Sequence, residues 1–244
     1  MQPAAGDSLN GLSTDWGELV AAQGDGPEAR AAQRAVLDRY GRAVHRYLRS
    51  ALRDRNAADD LAQEFALRFV RGDFHRLHPS RGRFRDFIRT VLFHLVADFY
   101  RARRTAPVAL RDDDAPIVAS APSGREPFLE HWRAALLDRA WQELRHLPSR
   151  ANGPLYDVLR FRVDRPDQST TDAASELSRR MGRPISPVAF RQALHRARVK
   201  FAELLRQEVS FSLGTSQREV VDQELADLEL LAYCRPRSRP RRGA

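Results

Sequence analysis

The chain has 244 residues, of which 30% are charged and 42% hydrophobic, enough for one large domain or two small ones that each bury a core. Its formal net charge of +9 favours a polyanionic partner, and its one cysteine, Cys234, excludes an internal disulfide framework and a cysteine-rich zinc site. We expect a cytoplasmic protein, because the sequence shows neither a secretory signal nor an apolar run long enough to span a membrane.

The first half of the sequence has the apolar periodicity of amphipathic helices. Residues 1–12 lack it and are predicted to form a disordered tail, whereas Ser13 or Thr14 offers a cap for the helix that follows. In the last helix of this half an apolar residue recurs every three or four positions, and arginines occupy both ends. The predicted helices of this half span residues 13–23, 27–53, 57–71 and 82–104.

Periodicity stops over residues 105–127, a stretch rich in Pro, Ala, Ser and Asp that we interpret as a flexible linker. Beyond it we predict helices over 128–146 and after Pro154, two helices joined by a tight turn at "GRPIS" within 169–206, and an acidic helix over 217–233. No segment has the pattern of a strand.

The predicted fold class is therefore all-α, with an N-terminal helical bundle and a C-terminal helix-turn-helix bundle joined by a flexible linker. The predicted sections are a disordered tail (1–12), an N-terminal domain (13–104), the linker (105–127), a C-terminal domain (128–213), and an acidic helix with a basic disordered tail (214–244).

The helix that follows the "GRPIS" turn is dense in polar side chains. A short helix, a glycine-containing turn and a second polar helix form the geometry that fills the major groove of DNA. Arginine pairs with guanine and glutamine with adenine through paired hydrogen bonds. The alternative interpretation is an ordinary pair of bundle helices with a solvated arginine face. We expect the apolar side of this helix to hold Val188, Leu194, Phe201 and Leu205. The polar residues project from its other sides; these are Arg191, Gln192, His195, Arg196 and Arg198.

Two helices of the N-terminal half carry charged faces. The 82–104 helix is either a core helix with a basic end or part of a nucleic-acid site, where aromatic and arginine side chains suit an opened strand. The sequence has no phosphate-binding loop, and His75 and His78 lack further metal ligands, so we expect no enzyme, metal or cofactor. The polar side of the 57–71 helix either meets a basic protein partner or is solvated; it shows Asp59, Asp60, Gln63 and Glu64.

Three segments, in the same order, resemble motifs of the extracytoplasmic-function (ECF) RNA polymerase sigma factors, the compact two-domain members of the main bacterial sigma superfamily. The segment "DDLAQEFALRFV" is similar to the family's D-L-x-Q-E segment, and "FRDFIRTVLFHLVADFYRARR" resembles its helix that ends in a double arginine. The segment "ISPVAFRQALHRARVKFAELL" resembles the second helix of the family's C-terminal module. The resemblance covers residues 14–212, and the order, spacing and linker agree.

The resemblance implies a role for each of these segments. It implies docking on a coiled coil of the polymerase clamp for Asp60, Leu61, Gln63, Glu64 and Arg68. It implies contact with the minus-ten promoter element for Phe74, His75, Arg76, Arg85, Arg89, His94, Asp98, Arg101, Arg103 and Arg104. It implies entry into the major groove of the minus-thirty-five element for Arg191, Gln192, His195, Arg196 and Arg198.

The function implied is that of a sigma factor, which binds core RNA polymerase, recognises a two-part promoter and promotes its melting without catalysis of its own. The implied partners are core polymerase and promoter DNA, duplex and melted, for a protein that is monomeric when free and binds no membrane or cofactor. Two alternatives stay open: a helix-turn-helix regulator that acts without polymerase, and an adaptor that binds only proteins. Regulation stays open between an anti-sigma factor, phosphorylation, and an acidic C-terminal helix that folds back on a basic DNA-binding face.

Overall fold

The computed structural model describes residues 26–52, 54–73, 83–105, 125–148 and 154–234. Every regular element in these ranges is a helix, which confirms the all-α prediction. None of the described helices is both long enough and apolar enough to cross a membrane. In chain order the helices are α1 (Pro27–Ala51), α2 (Arg55–Val70), α3 (Phe84–Thr105), α4 (Arg125–His146), α5 (Leu155–Asp164), α6 (Thr170–Met181), α7 (Pro187–Leu213), α8 (Arg218–Asp227) and α9 (Leu231–Cys234).

Several helix starts lie close to their predicted positions because local capping decides them. Asp54 caps α2, since its carboxylate accepts hydrogen bonds from the backbone N–H groups of Asn56 at 2.9 Å and Ala57 at 3.2 Å. Ser169 caps α6 as predicted: its hydroxyl oxygen accepts from the backbone N–H of Asp172 at 3.1 Å and donates to the Asp172 carboxylate at 2.6 Å.

The predicted single helix over 217–233 is wrong, because the chain forms α8, a break and the short α9. Glu229, in the break, has a backbone φ of 57°, which lies in the left-handed region that a right-handed helix does not visit. Leu228 and Leu230 on either side of it are both buried. Residues two apart do not share a face of a helix, so the break lets both leucines reach the core.

The chain divides into two compact units, Met1–Ala135 with Ser210–Gln217 and Leu136–Val209 with Arg218–Ala244. The first unit takes in part of α4 together with α1, α2 and α3. The domain bounds expected from the sequence therefore stay a prediction. The predicted helix over 13–23, nearly all of the predicted linker and the basic tail lie outside the described residues.

Aromatic rings make up much of the core of the first unit. Tyr40 of α1 stacks on Trp132 of α4 with ring centroids 4.7 Å apart, and it meets Phe84 of α3 edge-on at 5.2 Å. Tyr47 and Phe128 make a further edge contact at 5.6 Å. All five side chains are buried, and burial of one aromatic side chain contributes roughly 2–3 kcal/mol.

The buried side of α7 organises the second unit. Phe190 packs edge-on against Phe161 of α5 at 6.4 Å between ring centroids, and Phe201 contacts Trp141 of α4 at 4.9 Å. Cys234 at the end of α9 is buried, and this burial raises the pKa of its thiol. The ring contacts of Phe190 and Phe201 orient α7 about its own axis and so decide which of its side chains face outward.

We expect two glycine-to-alanine substitutions to change stability in opposite directions. Gly41→Ala, within α1, is expected to raise the free energy of unfolding by about 1 kcal/mol, because alanine is the better helix former and its Cβ meets nothing within 4 Å. Gly182→Ala is expected to lower it by about 1–2 kcal/mol, because Gly182 ends α6 with a φ of 62°. Thermal melting of each variant measures both effects, and shifts of the same sign would contradict this account.

Candidate functional sites

The side of α2 that faces solvent holds all five residues predicted to bind a protein partner. Asp60 and Gln63 are exposed, whereas Leu61, Glu64 and Arg68 are half-buried. Arg68 donates a 2.7 Å hydrogen bond to the Glu64 carboxylate one helical turn away. Within the described part of the chain, Asp60 makes no ion pair, so its charge is available to a partner.

Leu67 and Val70 extend this side of α2, and the sequence-based reasoning missed both. Each is 49% exposed. Asp60, Gln63, Leu67 and Val70 follow one another at spacings of three and four, so they share one side of the helix, here called the α2 outer face. Exposed apolar groups beside charged ones are typical of protein interfaces. The signal was present in the sequence, because both residues fall outside the apolar stripe that builds the core.

A hydrogen bond that no sequence pattern indicated connects α1 to the acidic side of α2. His45 Nε2 lies 2.6 Å from Asp59 Oδ1. The two residues are 14 positions apart in the chain, so only the packing of α1 against α2 brings them together. This contact holds the side chain of Asp59, which is next to Asp60 in the chain, against α1.

The exposed side of α3 carries four of the seven described residues that were predicted to meet the minus-ten element. His94, Asp98, Arg101 and Arg104 are exposed and recur at the spacings that share one side of a helix. Arg101 donates a 2.6 Å hydrogen bond to the Asp98 carboxylate, so these two charges partly offset each other. Arg89 is half-buried and lies on another side of α3.

Arg85 requires a correction, because its side chain is only 2% exposed and therefore does not reach DNA in this structure. Arg85 precedes Leu92 by two helical turns and Val96 by three, so it lies on the same side of α3 as these buried residues. The apolar periodicity alone contained this signal.

Two residues near the end of α3 contact the connection between α1 and α2. The Tyr100 hydroxyl donates a 3.1 Å hydrogen bond to the backbone oxygen of Ala51. Arg103 Nη1 lies 4.0 Å from Asp54 Oδ2, and its guanidinium lies 5.7 Å from the ring centroid of Phe99. The basic end of α3 is thus joined to the residue that caps α2.

The predicted DNA-reading residues of α7 lie opposite its buried side. Phe190, Leu194 and Ala197 are buried and orient the helix. The side chains on the outer side are exposed, apart from Arg198, which is half-buried; the exposed ones are Arg191, Gln192, His195 and Arg196.

Val188 also requires a correction, because the sequence analysis expected it on the buried side of α7. It is 52% exposed and precedes Arg191, Gln192 and His195 by three, four and seven positions. This spacing puts Val188 on the same side as the three polar residues. The buried side of α7 begins instead at Phe190.

The turn between α6 and α7 is held by Ser178. Its hydroxyl oxygen accepts a 2.8 Å hydrogen bond from the backbone N–H of Ile185, and the hydroxyl lies 2.7 Å from the backbone oxygen of Ala174, to which it donates. Ser186 caps α7 by accepting from the backbone N–H of Ala189 at 3.1 Å. These bonds orient the start of α7 relative to α6.

The acidic α8 contacts a part of α7 remote from the polar residues near its start. Asp222 accepts a 2.9 Å hydrogen bond from Arg206, which lies in the C-terminal half of α7. Glu224, a second acidic residue of α8, is 1% exposed. In this structure these acidic side chains therefore do not cover Arg191 or Arg196.

Phe74, His75, Arg76 and His78 lie outside the described residues, and their predicted roles stay predictions.

Residues 36–105 match the family model for sigma-70 region 2. The matched segment covers most of α1 and all of α2 and α3, and thus contains the α2 outer face and the basic end of α3. This match supports a sigma-70 family member, with a role in RNA polymerase binding and promoter recognition. No curated protein and no solved structure matches the chain.

Proposed function

We propose that the chain is an ECF-type sigma factor that docks on core RNA polymerase, recognises a two-part promoter and promotes its melting. The observation that carries the proposal is the region 2 match, which spans both the exposed acidic side of α2 and the basic end of α3. A protein site and a nucleic-acid site within one small domain fit a factor that binds polymerase and DNA together.

The α2 outer face supports docking on polymerase. Asp60 and Gln63 supply polar contacts, and Leu67 and Val70 supply apolar area beside them. Interfaces between proteins combine an apolar centre with a polar rim. The shared spacing of these four residues suits one side of a partner helix, as in a coiled coil.

Contact with both promoter elements is supported by exposed arginines on two helices. Arg101 and Arg104 lie on the exposed side of α3, and Arg191 and Arg196 on that of α7. Phe93 on α3 is 44% exposed beside His94, and an exposed aromatic ring offers a stacking surface to a base that leaves the duplex. These features support recognition together with melting.

Reconstitution with purified core polymerase tests the proposal. The full-length protein is expected to form a stable complex with core polymerase and to direct transcription from promoters in a genomic template. Failure to bind polymerase, combined with sequence-specific DNA binding, would favour a regulator that acts alone. Polymerase binding without any effect of promoter sequence would favour a protein adaptor. Sequencing of transcript starts after overexpression then identifies the promoters.

The contact between Asp54 and Arg103 yields a further prediction. Asp54→Asn is expected to raise the affinity for promoter DNA about twofold to fivefold at low salt, because the Asp54 carboxylate competes with DNA phosphates for Arg103. Asparagine caps a helix as well as aspartate, so α2 should stay intact, whereas Asp54→Ala should cost about 1 kcal/mol of stability. Fluorescence anisotropy with labelled DNA measures the affinity. Unchanged or weaker binding by a folded Asp54→Asn variant would contradict the competition.

A further inference from the structure

We propose that Val188 reads the C5-methyl group of a thymine in the upstream promoter element. The proposal rests on the proposed role of α7 in the major groove and adds a specific base contact to it. Val188 is the second residue of α7 and is 52% exposed. Recognition helices contact base edges mainly through residues near their N-terminal ends, where Val188 lies.

The neighbours of Val188 hold it in an outward orientation. Ser186 caps the helix through its hydroxyl oxygen, which accepts from Ala189 N–H, and its backbone oxygen accepts from Phe190 N–H at 2.9 Å. Phe190 is fully buried, so the first turn of α7 has little freedom to rotate. A side chain two positions before Phe190 therefore points away from the core.

The chemistry around Val188 selects the ligand. Arg191, Gln192 and His195 surround it on the same side of α7, and each offers hydrogen bonds to base edges. Among the four bases, only thymine presents an apolar group, its C5-methyl, in the major groove. Valine is also a poorer helix former than most polar residues, so helix propensity does not explain its place on an exposed surface.

Single replacement of each thymine by deoxyuridine in the bound DNA tests this contact, because the replacement removes only the methyl group. Selection from random duplexes with the full-length protein bound to core polymerase first defines the upstream element. We expect the wild-type complex to lose affinity about threefold to fivefold at one thymine, a loss typical of one buried methyl group. Val188→Ala should bind the thymine and deoxyuridine duplexes equally at that position.

Val199→Ala is the matched control. Val199 is 43% exposed on the same side of α7 but lies about 16 Å further along the helix axis. This variant should keep the full deoxyuridine penalty, as should Arg191→Ala at the same thymine. Because alanine favours the helix, loss of folding does not account for the expected result.

Each result bears on the proposal. An enriched element with no deoxyuridine penalty in the wild type, or with the same penalty in Val188→Ala, would overturn the thymine contact and leave the sigma-factor proposal intact. Failure to enrich any upstream element would overturn the role of α7 in promoter recognition and the thymine contact with it.

Discussion

Asp60→Lys combined with Glu64→Lys is expected to lower the affinity of the protein for core RNA polymerase by at least about a hundredfold. Both residues lie on the exposed acidic side of α2, and Asp60 makes no ion pair within the described part of the chain. Two reversed charges at a protein interface place like charges against the partner, which costs several kcal/mol. Pull-down with purified core polymerase, followed by titration, measures the change.

The fold of this double variant should survive. The ion pair between Glu64 and Arg68 is surface-exposed and lies within one helix, so its loss costs only about 0.5 kcal/mol. Circular dichroism should therefore give a helix content equal to that of the wild type. Binding to promoter DNA should persist, because the substitutions lie on a helix other than α3 and α7.

A matched control is Asp157→Lys combined with Glu219→Lys. Both residues are exposed and acidic but lie on α5 and α8. This variant has the same net charge as the α2 variant, so nonspecific electrostatic effects on polymerase binding should be equal. Equal polymerase affinity for the two double variants would contradict a specific site on α2.

Arg191→Ala combined with Arg196→Ala is the second large expected effect. We expect binding to the upstream promoter element to weaken by about 30-fold or more, because each arginine that contacts a base or phosphate contributes about 1–3 kcal/mol. Both side chains are exposed on the outer side of α7. Run-off transcription and DNA titration over a range of salt concentrations measure the loss.

The salt series separates the roles of the two arginines. Loss of a phosphate contact weakens binding to every sequence and lowers the salt slope by about 1, whereas loss of a base contact relaxes the sequence preference. Arg30→Ala combined with Arg218→Ala is the control, since it removes two exposed arginines from α1 and α8. Unchanged transcription by the α7 variant, with polymerase binding intact, would favour the adaptor.

The sequence predicted the features that depend on neighbouring residues. The cap at Ser169 and the left-handed glycine at Gly182 decide the ends of α6, because capping involves only residues within a turn of each other. The same holds for α2 and α3, whose apolar periodicity matches their buried sides. The motifs that indicated a sigma factor also lie within short segments, and the two in the N-terminal half fall within residues 36–105, which match sigma-70 region 2.

The structure decided the exposure of individual side chains. The resemblance implied that Arg85 contacts DNA, and the sequence analysis expected Val188 on the buried side of α7, yet Arg85 is buried and Val188 is exposed. Position on the helix, relative to what packs against it, outweighs the polarity of a single side chain. Periodicity indicates which side of a helix is apolar, but its limits depend on where neighbouring elements end.

The amino-acid sequence alone thus determined the helical class, most of the helix ends and the resemblance to sigma-70 region 2, because each of these follows from residues close together in the chain. Only the tertiary structure showed the contacts between His45 and Asp59 and between Arg103 and Asp54, since no local pattern relates positions on different helices. It also showed the break at Glu229, which lets Leu228 and Leu230, the residues on either side of it, both be buried in the core.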